Sequence, residues 1–258
     1  MGRYIEFIKK NSFLFEELVK RDFKKKYKRT VLGMFWSMLS PLMTLLVMAL
    51  VFTKFFGRDT PHYIIYLFAG NLIFSYFKES TTGGMGALVS NSGIISKVNV
   101  PKYLFVFAKN VSVLINFLLT LAIFFIFALF DGVDFGLHLI TLIYPVICLL
   151  IFNLGMGLIL SAMYVVFKDI QYLYDIFSML LMYLSAIFYT VDIFEPTIQK
   201  LFYLNPLYCF ISYFRTVVID GVYASVELNL LCLFYAMASM IIGSWVYKKY
   251  NYRFIYYM

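Results

Sequence analysis

Long apolar runs separated by short polar clusters dominate this chain. Six runs approach or exceed the ~20 residues that an α-helix needs to cross ~30 Å of hydrocarbon. They cover residues 32–56, 64–77, 104–130, 137–167, 173–191 and 228–247. The second is short unless its helix continues through the polar stretch 78–86. The fourth is longer than a bilayer requires, so it is expected to tilt or to extend beyond the membrane. The runs are continuous rather than alternating, which argues against a β-barrel. The pattern therefore predicts an all-α integral membrane protein with six transmembrane helices.

Composition supports the pattern. Of the 258 residues, 62% are hydrophobic and 14% are charged. A soluble domain is about 45–50% apolar and about 25% charged. A soluble enzyme, a disordered chain and a nucleic-acid-binding domain are disfavoured accordingly. The net charge of +8 reads as a topology signal rather than as affinity for nucleic acid. Eighteen of the 22 Lys and Arg fall before the first run, in the second-to-third and fourth-to-fifth connections, and in the tail. Lys54, Arg58, Lys200 and Arg215 lie on the opposite side. The positive-inside rule then places both termini in the cytoplasm. No cleavable signal peptide is expected, because residues 1–30 are charged throughout. Cys148, Cys209 and Cys232 are too scattered for a disulfide framework or a zinc site, and His62 and His138 alone make no metal centre.

Three segments outside the runs carry information. In 11–30, Phe15, Val19, Phe23, Tyr27 and Val31 recur every four residues and Leu14 and Leu18 widen the stripe, while basic residues cover the rest. This predicts an amphipathic helix along the cytoplasmic membrane surface, with Glu16 and Lys20 paired at i,i+4. The pattern alone favours a lipid anchor over a docking surface for a cytoplasmic partner. Next, Gly83, Gly84 and Gly86 are expected to loosen the end of the second run, and Asn91-Ser92-Gly93 signals a turn. Residues 94–102 then form either a long loop or a short helix that transmits motion from a partner. Third, 192–220 holds Asp192, Glu195-Pro196, Asn205-Pro206 and Asp220-Gly221 between apolar pieces too short to span. Re-entrant helices or a structured outer loop both fit. Arg215, inside the second piece, needs a polar or charged partner at that depth.

Catalytic chemistry is missing from the sequence. There is no G-x-x-x-x-G-K-[ST] phosphate loop, no H-E-x-x-H, and no Ser/His/Asp set. The G-x-G pairs at Gly84/Gly86 and Gly155/Gly157 lack a strand–turn–helix context. Lys168, Asp169 and Asp175 sit at a predicted cytoplasmic edge, which is a weak place for a proton relay. The 22 Tyr and 29 Phe suit interfacial aromatic belts. Some of the aromatics, such as Phe35, Trp36, Phe74, Tyr76, Phe77, Tyr183, Phe188 and Tyr189, suit a conduit, since ring faces stack on sliding sugars without a fixed hydrogen-bond pattern. For any one of them, packing or lipid contact is the simpler role.

The ordered motifs resemble the permease subunit of type 2 ABC exporters of cell-surface polysaccharides, the O-antigen and teichoic acid exporters among them. The resemblance runs nearly end to end. It rests on Arg21-Asp22-Phe23-Lys24-Lys25-Lys26-Tyr27-Lys28 before Leu32-Gly33-Met34-Phe35-Trp36-Ser37-Met38-Leu39-Ser40-Pro41, then on Tyr66-Leu67-Phe68-Ala69-Gly70-Asn71. Asn91-Ser92-Gly93-Ile94-Ile95-Ser96-Lys97-Val98 before Val100-Pro101, Val166-Phe167-Lys168-Asp169-Ile170, Asn205-Pro206-Leu207 and Arg215 continue it. The chain departs from relatives in lacking Pro-Trp after Gly70, and in carrying Lys102-Tyr103 where Arg and Glu are common.

The resemblance implies one ABC-2 transmembrane domain over 1–258, paired with a second copy around a central conduit. Two ATP-binding cassette subunits beneath it would hold the ATP and Mg²⁺, so this chain is itself no enzyme and carries no cofactor. Segment 11–30 would be the interface helix and 91–101 a coupling element, with Phe15, Val19, Phe23, Tyr27, Asn91, Ile94, Lys97, Val98, Pro101 and Lys102 facing the ATPase. Lys24, Lys25, Lys26, Lys28 and Arg29 would attract the pyrophosphate of a lipid-linked glycan. Phe35, Trp36, Tyr183, Phe188 and Tyr189 would line the conduit between the first and fifth spans. Outer gate helices over 192–220 would use Asp192, Glu195, Pro196, Asn205, Pro206 and Arg215. The expected location is the plasma membrane of a bacterium. An ABC-2 permease for a drug or lipid, a membrane-embedded transferase and an ion-coupled carrier are the rival readings.

Overall fold

A computed structural model describes residues 2–27, 33, 35–56, 62–98 and 100–251. The described residues are helical, with no strand. In chain order the helices are α1 (Gly2–Tyr27), α2 (Phe35–Phe56), α3 (Tyr63–Ser90), α4 (Ser92–Ile95), α5 (Tyr103–Phe130), α6 (Ile143–Val166), α7 (Ile170–Leu184), α8 (Pro196–Phe202), α9 (Pro206–Val218) and α10 (Val226–Tyr250). A 3₁₀ turn, Leu137–Leu142, leads into α6. Among the described residues, Tyr103–Phe130, Leu137–Val166 and Val226–Tyr250 are long and apolar enough to cross a membrane.

At the centre lies α3, flanked by α5 and α6, with α10 behind α6 and α9 closing one end. From Leu67 to Phe74 every residue of α3 is buried, as expected of a helix that is apolar on all sides. Phe68 meets Phe124 of α5 edge-on at 5.4 Å, and Phe77 meets Phe152 of α6 at 5.9 Å. Water does not drive helices together inside a bilayer, so close van der Waals contact must do so. Glycine makes that possible. Gly155 of α6 and Gly243 of α10 bring their backbones together so tightly that a Cβ on either would overlap the other helix's main chain. Gly84 of α3 lies against Gly157 of α6 in the same way, with 3.0 Å between a Cβ built on Gly84 and the Gly157 Cα.

Two boundaries differ from the sequence expectation. The helix of the second run does not loosen at Gly83–Gly86 but continues to Ser90. Gly84 serves packing there, and Thr81 stays in register by donating to the Phe77 carbonyl at 2.7 Å. The fifth helix is shorter than the run 173–191, since α7 stops at Leu184. Ala186 then takes a positive φ of 49°, and the carbonyls that leave the helix are claimed by side chains from α3 and α9. Chain ends inside an apolar environment need such partners.

Elsewhere the local chemistry explains the ends. Pro196 and Pro206 open α8 and α9 at positions that need no amide hydrogen. Asn205 caps α9 by accepting from the Leu207 amide at 3.0 Å, and Ser225 caps α10 by accepting from Leu228 at 3.2 Å. Glu227 in the first turn of α10, and Lys248 and Lys249 in its last, suit the helix dipole.

Candidate functional site

Chemistry-bearing residues gather at the two ends of this bundle and along α2 and α7. At the α1 end, the apolar stripe of α1 turns inward. Leu18 is buried, and Leu14, Phe15 and Val19 pack with it against a cluster that includes Ala87, Leu88, Phe105, Val106 and Tyr247. The stripe is covered by the chain's own helices, above all α5. Phe23 is half-buried, and Lys24 and Lys25 are exposed. Arg21 donates to its neighbour Asp22 at 2.7 and 2.9 Å. The Glu16–Lys20 pair forms at 2.8 Å. The hydrogen bond between them, with the opposite charge of each partner, lowers the Glu16 pKa and raises that of Lys20. The side chains of Tyr27, Lys26, Lys28 and Arg29 lie outside the described residues.

Residues 91–98 fold as a short helix, α4, followed by turns. Asn91 is buried and donates through Nδ2 to the Ala87 carbonyl at 2.8 Å, which fuses this segment to the end of α3. Ile94, Lys97 and Val98 project outward as an exposed tip. Pro101 is half-buried. Lys102 donates to the Asn251 carbonyl at 3.0 Å, at the end of α10, and burial pulls its pKa below the usual lysine value. The tip thus lies between a bond to the end of α3 at Asn91 and a bond to the end of α10 at Lys102. Beside it, a cavity of about 630 Å³ opens between α1, α3 and α5, with Arg21, Lys25 and Lys109 facing Asp22 and Glu79.

At the opposite end, Arg215 is the organising residue. It is buried on α9, and its guanidinium lies 3.3 Å from the centre of the Tyr66 ring. Nη1 donates to the Ala186 carbonyl at 2.9 Å, and Nη2 donates to Ile187 at 3.1 Å and to Tyr66 at 3.2 Å. Among the described residues its partners are therefore carbonyls and a ring face rather than a carboxylate. Tyr63 donates to the Phe188 carbonyl at 2.7 Å and Tyr66 to that of Tyr189 at 2.6 Å. Asn205 Nδ2 reaches the Leu184 carbonyl at 3.1 Å. Four side chains from α3, α9 and the α9 cap thus hold the irregular segment after α7. A cavity of about 330 Å³ adjoins Arg215, with Asp192 and Asp220 on its wall. Partial burial raises the Asp220 pKa above its ordinary value. Asp192, Glu195 and Pro196 are exposed, and Asn205 and Pro206 are half-buried.

The aromatics expected along a conduit divide by position. Phe35 and Trp36 at the start of α2, and Tyr183 on α7, are exposed. Tyr189 is half-buried and packs against Phe194 and Phe202. Phe188 is buried in the main core. Beyond these, α7 turns Leu173, Ile176, Phe177, Leu180 and Leu184 outward. It is pinned to α3 by a short hydrogen bond between the Tyr174 and Thr81 hydroxyls. Lys168, Asp169 and Asp175 are exposed around the start of α7. Among the described residues no group of three His, Cys, Asp or Glu is placed to hold a metal ion. Cys148, Cys209 and Cys232 are buried free thiols.

Sequence reasoning missed the Tyr63 and Tyr66 donors, because tyrosines in an aromatic-rich membrane chain carry no distinguishing mark. The requirement of Arg215 for a partner was visible, but the backbone identity of that partner was not.

The arrangement has relatives. Residues 14–219 match the family described as ABC-2 type transporter. The O-antigen export system permease protein RfbA of Klebsiella pneumoniae is 25% identical over 247 residues, covering 94% of this chain and 95% of the relative. The RfbA protein of Myxococcus xanthus is 26% identical over 78% of each chain. The polysialic acid transport protein KpsM of Escherichia coli is 23% identical, covering 90% of this chain and 92% of the relative.

Proposed function

Because this chain belongs to the ABC-2 type transporter family, we infer that it is the membrane-spanning permease subunit of an exporter of cell-surface polysaccharide, driven by ATP hydrolysis on a separate subunit. The observation that carries this reading is the near full-length similarity to O-antigen export permeases, 94% of this chain against 95% of the relative. The polysialic acid transport protein adds a second glycan over 90% of the chain. These relatives favour polysaccharide over a drug or small lipid as cargo.

On this reading the six spans are α2, α3, α5, the 137–166 unit, α7 and α10. The α1 end faces the cytoplasm of a bacterium, and α8 and α9 dip into the outer leaflet. At 1.5 Å per residue, the 15 residues of α7 cover only about 22 Å. Residues 185–189 complete the crossing as irregular backbone, which a membrane tolerates where its polar groups are held by protein. Two copies pair through α2 and α7, whose apolar faces the single chain leaves uncovered, and Phe35, Trp36 and Tyr183 then face the conduit. Phe188 and Tyr189 support that wall from behind. Asp192, Glu195, Pro196, Asn205, Pro206 and Arg215 build the outer gate.

Energy enters from below. Ile94, Lys97 and Val98 contact an ATP-binding cassette subunit beside α1, and Asn91, Pro101 and Lys102 transmit its movement to α3 and α10. The partner's different affinity for two permease states supplies the driving force. Lys24, Lys25, Lys26, Lys28 and Arg29 draw the phosphate of a lipid-linked glycan to the membrane surface. Lys97→Glu, on the exposed tip, is expected to leave insertion and folding unchanged and to uncouple ATP hydrolysis from export.

Purification of the chain from membranes in mild detergent tests this reading. A stoichiometric ATP-hydrolysing subunit of roughly 25–50 kDa, the size of one domain or one with an extension, is expected to come with it. Recovery of the chain alone from several detergents contradicts the reading.

A further inference from the structure

Three helices converge at the Gly84–Gly157 contact. A Cβ built on Gly84 would lie 3.6 Å from Val106 Cγ1 of α5, and one built on Gly157 would lie 3.2 Å from the same carbon. The Phe77–Phe152 pair shows that α3 and α6 run the same way, and the Phe68–Phe124 and Tyr76–Phe117 pairs show that α5 runs against them. One helical turn is about four residues. One turn from Gly84, Gly157 and Val106, toward the α9 end, stand Ser80, Asn153 and Asn110. They share the next layer of the bundle, and all three are fully buried.

Their polar atoms are not used up. The Tyr76 hydroxyl donates to Asn110 Oδ1 at 3.4 Å and neighbours Asn153. Among the described residues, Asn110 Nδ2, both amide atoms of Asn153 and Ser80 Oγ complete no hydrogen bond. Exchanging the amide oxygen and nitrogen of Asn153 relieves nothing, since neither has a partner. The layer is also deep. At 1.5 Å per residue, Asn110 lies about 10 Å from the start of α5 and Asn153 about 20 Å from the end of α6. Unpaired amides at such a depth are costly in a bilayer, where lipid offers no hydrogen bond. These groups share a layer yet stand farther apart than one direct hydrogen bond, a spacing that a single bridging molecule spans.

The chemistry of the layer selects that molecule. Its groups are uncharged, so they offer an ion no counter-charge. Glu79 and Lys109, next in sequence to Ser80 and Asn110, line the cavity beside α1 instead. The two Nδ2 groups donate, Asn153 Oδ1 accepts, and the Ser80 hydroxyl does either. A small neutral ligand that both donates and accepts matches this set, and buried water makes about three such bonds. We propose that Ser80, Asn110 and Asn153, beside the Tyr76 hydroxyl, form an internal water-binding site that joins α3, α5 and α6. The site belongs to the frame of the bundle and is independent of the cargo.

X-ray hydroxyl-radical labelling of the purified chain in detergent tests this, because a bound water split by the pulse oxidises the side chain beside it. The buffer is changed to heavy-oxygen water milliseconds before the pulse. Tyr183 and Tyr223 are exposed and should gain heavy oxygen from fresh solvent. Tyr76 is 3% exposed and should gain light oxygen from the held water, while Phe68 and Phe124 of the same core stay unlabelled. Combining Asn110→Leu with Asn153→Leu, which keeps side-chain volume and removes both amides, should lower the Tyr76 label to that background. Absence of label at Tyr76 in the wild type overturns the proposal. So does heavy oxygen there, which would come from the open cleft that Tyr76 borders. Light label that survives in a folded double variant overturns it as well. If the double variant does not fold, the isotope at Tyr76 in the wild type decides alone.

Discussion

Two parts of this protein are built from equally apolar sequence and behave as opposites. α6 and α10 meet along Gly155, Ser239 and Gly243 with backbone against backbone, and α3 joins them at Gly84 and Gly157. By contrast, α7 buries a single narrow stripe, with Tyr174 and Ser178 inside and Leu181 and Met182 against the core, and is bonded through Tyr174 and Thr81 near one end and through the Arg215-held turn beyond the other. Its Leu173, Ile176, Phe177 and Leu180 face outward. Small residues make a fixed frame, because their helices cannot slide without clashing or opening voids. Large residues with no partner in the chain make a wall free to meet lipid, a second copy or cargo. Apolar content alone does not distinguish a packed frame from an open wall; the size of the residue at each crossing does.

The strongest way to break this contrast is to fill the frame. Gly155→Val places side-chain atoms where the Ser239 backbone already lies. Overpacking costs about 1–3 kcal/mol and occasionally more, and here the obstacle is backbone that cannot rotate away. The yield of monodisperse protein in detergent should collapse, while Gly86→Val, where nothing approaches within 4 Å, should be recovered as wild type.

Next comes the clamp on the far end of α7. Arg215→Leu leaves the Ile187 carbonyl without its donor and the Ala186 carbonyl with only the longer bond from the Tyr66 hydroxyl, 3.3 Å. Each buried unsatisfied group costs about 1–3 kcal/mol, so the melting temperature should fall by several degrees, with Arg215→Lys intermediate. Hydrogen exchange should quicken across 185–190 before it does in α6 or α10.

A smaller effect is expected at the near end. Tyr174→Phe removes one hydroxyl contact with Thr81, worth about 1 kcal/mol. Thr81→Val should add less than it costs alone once Tyr174 is changed, since the two share one bond and Thr81 keeps only its donation to the Phe77 carbonyl. Exchange in α7 should rise with the frame unaltered.

At the bottom of the scale, Glu16→Gln should leave melting unchanged. Its pair with Lys20 is solvent-exposed, and such pairs contribute little. Protonation gives the same expectation. Lys20 holds the Glu16 pKa below normal, so any stabilisation is present at neutral pH and fades as pH falls through that lowered value.

Much of this arrangement was legible beforehand. The amphipathic α1, the break at Asn91 and the two short helices opened by Pro196 and Pro206 all follow from local patterns of spacing and turn chemistry. The stop of α7 at Leu184 was not legible, because its cause lies some 30 residues away in Arg215 and some 120 away in Tyr63 and Tyr66. Glycines 83–86 misled for a related reason. In water a glycine cluster weakens a helix, but in a membrane bundle it marks the place where another helix comes closest.

On the proposed function, this chain moves polysaccharide across a membrane at the expense of ATP hydrolysed on a separate subunit. Inside-out vesicles carrying the chain and its ATP-hydrolysing partner, loaded on the outer surface with the host's lipid-linked glycan, test it directly. With ATP, the glycan should become protected from an added glycosidase, and Lys97→Glu should abolish protection while ATP is still consumed. Equal digestion with and without ATP, in vesicles whose partner is hydrolysing it, contradicts the account.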